Sequence, residues 1–153
     1  MKSSRIHICL LLILMLCSCS VNKFIPGKQY VVDEVDGVSD SKGVKPSLVT
    51  SYIRQSPNAK WFNLVKIPMR IYCISGKDSS KWMNRFLQKI GDAPKIYDET
   101  IALKSQREIE KAVRNMGYMR AVVRLDTIIN KNKLKLSYNI KTDSLYRINH
   151  IAY

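Results

Sequence analysis

The stretch SQREIEKAVRNMGYMRAVVRLDTIINKNKLKLSYNI, residues 105–140, has the clearest secondary-structure pattern in the chain. Ser105 followed by Glu108 forms a capping box, a frequent start of a helix. The apolar residues behind it recur at the i, i+3, i+4 and i+7 spacing of one helix face: Ile109, Ala112, Val113 and Met116. Gly117 is placed to end the helix in a left-handed conformation, with Tyr118 folded back over the last turn. The pattern therefore predicts an amphipathic helix from Ser105 to Gly117.

Two strands with alternating apolar and polar residues follow this helix. The first runs from Met119 to Thr127 and the second from Lys133 to Lys141. Asn130-Lys131-Asn132 between them predicts a hairpin turn. The alternation gives each strand one apolar face and one largely basic, solvent-facing side. We therefore expect a small open sheet that helices cover on one face, which is an α+β fold.

The chain before this segment predicts one more strand and one more helix of the same domain. A short strand is expected around Tyr30–Val35, followed by a turn-rich loop that starts at Asp36-Gly37. Pro46 suits the first turn of a helix that continues to Ser56-Pro57.

Residues 61–91 are harder to assign from their pattern. Trp61–Ile74 is rich in large apolar residues but is interrupted by charged residues and a proline, which favours an irregular or partly extended segment. Ser79 or Ser80 can cap a helix that Gly91 ends. Within that helix, three residues are spaced to stack on one apolar face: Trp82, Phe86 and Ile90.

The first 18 residues have the features of a secretory signal. A basic head precedes nine apolar residues, Ile8–Leu16, which are too few to span a bilayer because that takes about 20. Leu16-Cys17-Ser18-Cys19 matches a bacterial lipobox, with Cys19 as the acylated residue. We expect a signal peptide over residues 1–18, lipid attachment at Cys19 and a tether over residues 19–29. The alternative is an ordinary signal peptide with incidental cysteines.

Cleavage before Cys19 leaves a strongly basic chain with one further cysteine, Cys73. No intramolecular disulfide is then possible, and the apolar neighbours of Cys73 predict a buried packing residue. The signal carries two of the 26 basic residues and none of the 12 acidic ones, which leaves a net charge of +12. Such a charge favours anionic lipid head groups, lipopolysaccharide phosphates or acidic polypeptides rather than nucleic acid. The alternative is a generally solvated basic surface.

The residue types needed for catalysis or metal binding are scarce. After cleavage the only histidine is His150, and no glycine-rich phosphate loop, HExxH or Gly-x-Ser-x-Gly motif is present. The acids clustered near the start of the domain lack the spacing of an EF-hand loop: Asp33, Glu34, Asp36 and Asp40. We therefore expect no enzyme activity, catalytic residue, cofactor, metal site or small-molecule substrate.

The helix end Asn115-Met116-Gly117-Tyr118-Met119, followed by a basic hairpin, resembles the second half of a POTRA (polypeptide-transport-associated) domain. The second helix of that domain commonly ends in Gly-Tyr-Phe, and Met119 replaces the phenylalanine. Val31–Val38 and Ser47–Pro57 correspond to its first strand and helix. The resemblance implies a β-α-(α)-α-β-β domain over residues 30–142, with a three-stranded sheet, helices on one face and an insertion at about 60–92.

Together with the lipid signal, further motifs extend the resemblance over nearly the whole chain: Pro57–Phe62, Ile67-Pro68 and Lys81–Asn84. The chain resembles the N-terminus of the TamL-type lipoproteins of the BamA/TamA outer-membrane assembly family in Bacteroidetes. This implies a lipid-anchored outer-membrane protein whose domain lies in the periplasm. Leu145–Tyr153 corresponds to the first strand of a second POTRA module, so a truncated fragment without the family's membrane barrel is expected.

The resemblance also implies a partner and a binding strand. An extended polypeptide, either nascent outer-membrane protein or a TamB-like periplasmic protein, would add to an exposed strand edge. The residues implied in partner binding are Met119, Arg120, Ala121, Val122, Val123, Arg124, Leu125 and Asp126. The charges on this strand would flank the partner or simply protect the edge from aggregation. The competing hypothesis is a free-standing basic lipoprotein that binds anionic envelope components.

Replacing Cys19 by alanine is expected to abolish lipid attachment and release the protein from the membrane fraction, because the acylated sulfur is lost. Mass spectrometry and membrane fractionation measure both effects. Cys17→Ala is the matched control and should stay anchored. An unchanged mass and membrane yield for Cys19→Ala would refute the lipobox assignment.

Overall fold

The computed structural model describes residues 24–25, 27–60 and 66–150, so Cys19 and the signal segment lie outside the described residues. The described chain is α+β, which confirms the expected class. Its elements in chain order are β1 (Val31–Ser39), α1 (Pro46–Ser51), α2 (Ile67–Ile74), α3 (Trp82–Ile90), α4 (Glu99–Asn115), β2 (Val122–Asn130) and β3 (Lys133–Lys141). No helix in these ranges combines the length and apolar character needed to cross a membrane.

The chain divides into two compact units. The described residues of the smaller unit fall within 24–28 and 58–94, and it contains α2 and α3. Those of the larger unit fall within 29–57 and 95–150, and it contains the sheet together with α1 and α4. The insertion expected at about 60–92 thus lies within the smaller unit.

The larger unit is built around β3, the central strand of a three-stranded mixed sheet ordered β1-β3-β2. β3 runs parallel to β1 and antiparallel to β2. Its predicted alternation is confirmed, because four inward side chains are almost fully buried: Leu134, Leu136, Tyr138 and Ile140. They join Ile109 and Val113 of α4 in one apolar core. The predicted hairpin is also present, with Asn130 paired to Lys133 across a two-residue loop.

α4 begins earlier than predicted, and the capping box at Ser105 is wrong. The carboxylate of Asp98 accepts hydrogen bonds from the backbone N–H groups of Thr100 at 2.8 Å and Ile101 at 3.2 Å, so Asp98 is the cap. Ser105 is buried in mid-helix, where its hydroxyl donates to the Ile101 carbonyl. Glu108 forms a two-bond ion pair with Arg54 instead of capping. Ser105 and Glu108 therefore both bond to Arg54 instead of capping the helix.

β1 is longer and α1 shorter than predicted. Asp36-Gly37 forms no turn, because β1 continues beside β3 as far as the pairing of Ser39 with Ile140. Gly37 lies where an added Cβ would collide with the side chain of Val49 on α1, so its lack of a side chain serves close packing. α1 ends at Ser51, and soon afterwards the N–H of Arg54 donates to the Ser105 hydroxyl instead of to a helical carbonyl.

In the smaller unit, the irregular or partly extended segment expected before Ile74 contains α2, so this prediction is wrong over Ile67–Ile74. The proline that had suggested an interruption, Pro68, lies in the first turn, where its missing N–H costs no helical hydrogen bond. Met69 and Cys73, four residues apart, are both buried. The expected burial of Cys73 is confirmed.

α3 ends at Gly91 as predicted, but its predicted cap is wrong. Lys81 precedes the helix and no side chain caps it, so neither Ser79 nor Ser80 is the cap. The three residues predicted to share one apolar face are exposed to solvent: Trp82, Phe86 and Ile90. The polar residues Asn84 and Gln88 occupy the inward side of the helix.

Residues 142–150 form neither helix nor strand. The extended run expected from Leu145 therefore has no strand partner within the described residues. One backbone hydrogen bond joins this segment to the end of α4, from the N–H of Tyr146 to the carbonyl of Gly117 at 2.9 Å.

Gly117 has a φ of 102°, the left-handed conformation predicted for it, and an added Cβ would lie 2.8 Å from the Tyr146 carbonyl oxygen. Gly117→Ala is expected to lower the free energy of unfolding by about 1–2 kcal/mol because of strain and this contact. Asn115→Ala, at the end of the same helix, should change it by less than about 0.5 kcal/mol. Equal urea midpoints for wild type and Gly117→Ala would contradict this account.

Candidate functional site

The open edge of β2 is the candidate site in the larger unit. Among the described strands, β2 pairs only with β3, so its other side carries no strand. The opposite edge of the sheet is partly covered where β1 begins. There the N–H of Val32 donates to the carbonyl of Lys95, and the N–H of Tyr97 donates to the carbonyl of Tyr30, both at 2.8 Å.

Three side chains of α4 take the place of a neighbouring strand at the beginning of β2. Gln106, Glu110 and Arg114 are spaced four residues apart and lie on one helix face. Gln106 donates to the Val123 carbonyl at 2.7 Å, and Glu110 accepts from the Val123 N–H at 3.4 Å. Arg114 donates to the Ala121 carbonyl at 3.3 Å and forms an i,i+4 ion pair with Glu110 at 2.7 Å.

The same edge is open farther along β2. Residues of an antiparallel strand direct their peptide groups alternately to one neighbour and the other. Because both peptide groups of Val123 bond to α4, those of Leu125, Thr127 and Ile129 also face away from β3. This part of β2 therefore presents free backbone donors and acceptors in the form that another extended chain could pair with.

A groove of about 450 Å³ lies alongside the open part of the edge. Leu103 of α4 and Leu125 of β2 provide apolar surface. The rest of the lining is polar or charged: Glu99, Gln106, Arg124, Asp126 and Thr127. Tyr97 lies at the same groove, where burial, followed by the negative charges of Glu99 and Asp98, raises the pKa of its hydroxyl. The tyrosine therefore stays neutral at physiological pH. An extended segment beside β2 would place alternate side chains in this groove.

The residues predicted to bind a partner do not all reach this site. Met119 and Arg120 lie in a turn closed by a hydrogen bond from the Ala121 N–H to the Tyr118 carbonyl, and Ala121 is buried. The strand with the open edge is therefore Val122–Asn130, and not the predicted Met119–Thr127. The correction arises because Tyr118 is anchored in the core, which delays the start of the strand.

Within β2, the remaining predicted residues have different surroundings. Val123 is buried and already bonded to α4, whereas Leu125 borders the groove. Val122, Arg124 and Asp126 are exposed. Asp126 accepts a hydrogen bond from the amide of Asn139 at 2.6 Å, which engages its carboxylate within the sheet.

Sequence reasoning missed the contribution of α4 and the segment before it, in particular Gln106, Leu103 and Tyr97. The repeated spacing of Gln106, Glu110 and Arg114 was the available signal for the first of these.

The acidic residues of β1 form ion pairs across the sheet, and Asp40, directly after β1, accepts hydrogen bonds at the end of the sheet. Lys135 on β3 contacts Asp36 at 2.8 Å and Glu34 at 3.1 Å, and hydrogen bonds to these two carboxylates raise its pKa. Asp40 accepts hydrogen bonds from the hydroxyl of Thr142 at 2.7 Å and from its N–H at 2.9 Å. In the part of the chain that the structure describes, no three His, Cys, Asp or Glu residues form a group that could hold a metal ion.

Comparisons with protein-family models, with curated proteins and with solved structures find no match for this chain.

The hydrogen bonds from Thr142, first from its hydroxyl and then from its backbone, lower the pKa of Asp40 below its ordinary value of 3.8. A lowered pKa in the folded state stabilises the protein above that ordinary value, and the stabilisation is lost as the pH falls through the lowered pKa. Asp40→Asn should therefore melt below wild type at neutral pH, with the difference shrinking under acidic conditions. Asp143→Asn is the control. A difference independent of pH would contradict this linkage.

Proposed function

We propose that the larger unit is a POTRA-like polypeptide-binding module that accepts an extended chain as an additional strand beside β2. The observation that carries the proposal is the division of one strand edge into two parts. Side chains of α4 bond to the first part, at Ala121 and Val123, and the rest faces a groove. A partner strand would thus find an open stretch with a defined starting point.

The chemistry of the edge favours recognition of conformation over recognition of sequence. Main-chain hydrogen bonds from Leu125 and Thr127 would bind any extended chain, and only alternate side chains would meet the groove with its mixed apolar and polar lining. Segments with alternating apolar and polar residues fit this arrangement. Strands of outer-membrane proteins have that alternation, which makes nascent polypeptide of this kind a suitable partner class.

The cellular setting of the proposal comes from the resemblance. We propose that the protein is attached to the outer membrane through lipid at Cys19 and acts in the periplasm. There the module would take part in outer-membrane protein assembly or translocation, with a nascent chain or a TamB-like protein at β2. The α+β order, the Gly117-Tyr118 helix end and the lipobox support this assignment.

The net charge of +12 for the processed chain supports a second candidate, binding of anionic envelope polymers. Ionic strength separates the two. Binding driven by charge should weaken strongly between low and physiological salt, whereas strand addition depends on short-range hydrogen bonds and should persist.

Replacing Thr127 by proline is expected to lower binding of a synthetic peptide of roughly ten alternating valine and serine residues by about tenfold or more. Proline removes a donor that faces the open edge and leaves the hydrogen bonds between β2 and β3 in place. Thr127→Val keeps the N–H and is the matched control. Fluorescence anisotropy at low and physiological salt gives the affinities.

Amide NMR shifts of Leu125 and Thr127 on peptide addition provide a second readout that does not depend on the variant. Large shifts at these amides, with affinity retained in physiological salt, are expected. Thr127→Pro binding as tightly as wild type, or shifts confined to basic residues elsewhere, would refute strand addition at β2.

A further inference from the structure

α3 in the smaller unit has an inverted arrangement of its polar and apolar faces. None of its residues is buried. Four of its five large apolar side chains are more than half exposed: Trp82 at 69%, Met83 at 52%, Phe86 at 55% and Ile90 at 52%. At 100° per residue these four positions lie within about a third of the helix circumference, so they form one continuous apolar face. We call these four residues the α3 apolar face.

Hydrogen bonds hold the opposite side of α3 inward. Asn84 accepts from the N–H of Gly76 at 2.9 Å and donates to the carbonyl of Asp78 at 2.8 Å. Gln88, one turn later, donates to the carbonyl of Gly76 at 2.9 Å and accepts from the Ser79 hydroxyl at 3.0 Å. Turning the α3 apolar face inward would break all four bonds, so exposure of that face is built into the unit.

Basic residues border the α3 apolar face. Lys81, Arg85 and Lys89 are exposed, and the helix contains no acidic residue. Over residues 58–94 there are seven Lys and Arg residues against two Asp residues, and both carboxylates accept hydrogen bonds within the unit. A partner that covers this surface must therefore be apolar in its interior and negatively charged at its boundary.

We propose that α3 docks in the plane of an anionic phospholipid surface, with the α3 apolar face among the acyl chains. A helix that combines tryptophan and phenylalanine on one side with lysine and arginine beside them is suited to the boundary between head groups and acyl chains. Trp82 and Phe86 enter that boundary, and Lys81, Arg85 and Lys89 pair with lipid phosphates. This contact is separate from any covalent lipid and from the β2 edge.

Trp82 itself reports on this docking in the full chain. In a Trp61→Phe background, the other tryptophan of the chain is removed, so all tryptophan emission comes from Trp82. Adding vesicles of phosphatidylcholine mixed with phosphatidylglycerol should shift the emission to the blue, and brominated acyl chains should quench it. Pure phosphatidylcholine vesicles should give a much weaker response.

Two variants and a control test the contributions of the face and the charges. Phe86→Asn should remove most of the quenching, because it interrupts the α3 apolar face at an exposed position. Replacing Lys81, Arg85 and Lys89 by glutamine should weaken binding to anionic vesicles about a hundredfold, since each basic side chain near such a surface contributes roughly a fivefold factor. Ile148→Ser removes an apolar side chain that is exposed elsewhere and should change nothing.

Several results would overturn the proposal. They are the absence of quenching by brominated lipid, quenching that Phe86→Asn leaves intact, and binding indifferent to lipid charge. Sedimentation showing vesicle-independent dimers that Phe86→Asn dissociates would also overturn it, because a second copy of the chain would then cover the face.

Discussion

Burial of the inner face of β3 beneath α4 is the constraint on which the larger unit depends. Tyr138 is fully buried at the centre of the sheet, and its hydroxyl donates to the Ala102 carbonyl of α4 at 3.3 Å. Burial raises the pKa of that hydroxyl, so it remains a neutral donor. This contact sets α4 at the distance from which Gln106 reaches Val123. Because of this placement, side chains of α4 bond to the edge of β2 at Val123 and leave the rest of that edge open.

The unpaired backbone groups of an edge strand must be protected from pairing with other copies of the protein, unless they bind a partner chain. Here side chains of α4 bond to the first part in place of a strand, and the charged side chains of Arg124 and Asp126 are exposed along the second part, beside the groove. Asp126 is bonded to Asn139 within the sheet. Charges of this kind discourage indiscriminate pairing between copies of the protein, yet they leave the outward peptide groups of Leu125 and Thr127 accessible. Protection and selective use are therefore compatible in one strand.

α3 shows that periodicity alone does not determine whether an apolar helix face is buried. The spacing of Trp82, Phe86 and Ile90 correctly indicates one continuous apolar side, but it contains no information about what that side contacts. Asn84 and Gln88 determine the orientation of α3, because their amides bond to the loop at Gly76 and hold the polar side of the helix inward. The start of α4 was mispredicted for a related reason. Asp98 caps the helix, and the hydroxyl of Ser105 bonds to the Ile101 carbonyl in mid-helix instead of capping.

The sequence by itself determined the α+β class, the alternation of β3, the hairpin and the positive φ of Gly117, because each follows from local periodicity or from the conformational freedom of one residue. Tertiary structure alone decided the extent of β1, the pairing of Glu108 with Arg54 and the bonding of Gln106 to Val123. These contacts join residues far apart in sequence, or residues whose neighbours depend on the sheet order. The local preferences of a residue do not show which distant residue it will contact in the folded chain.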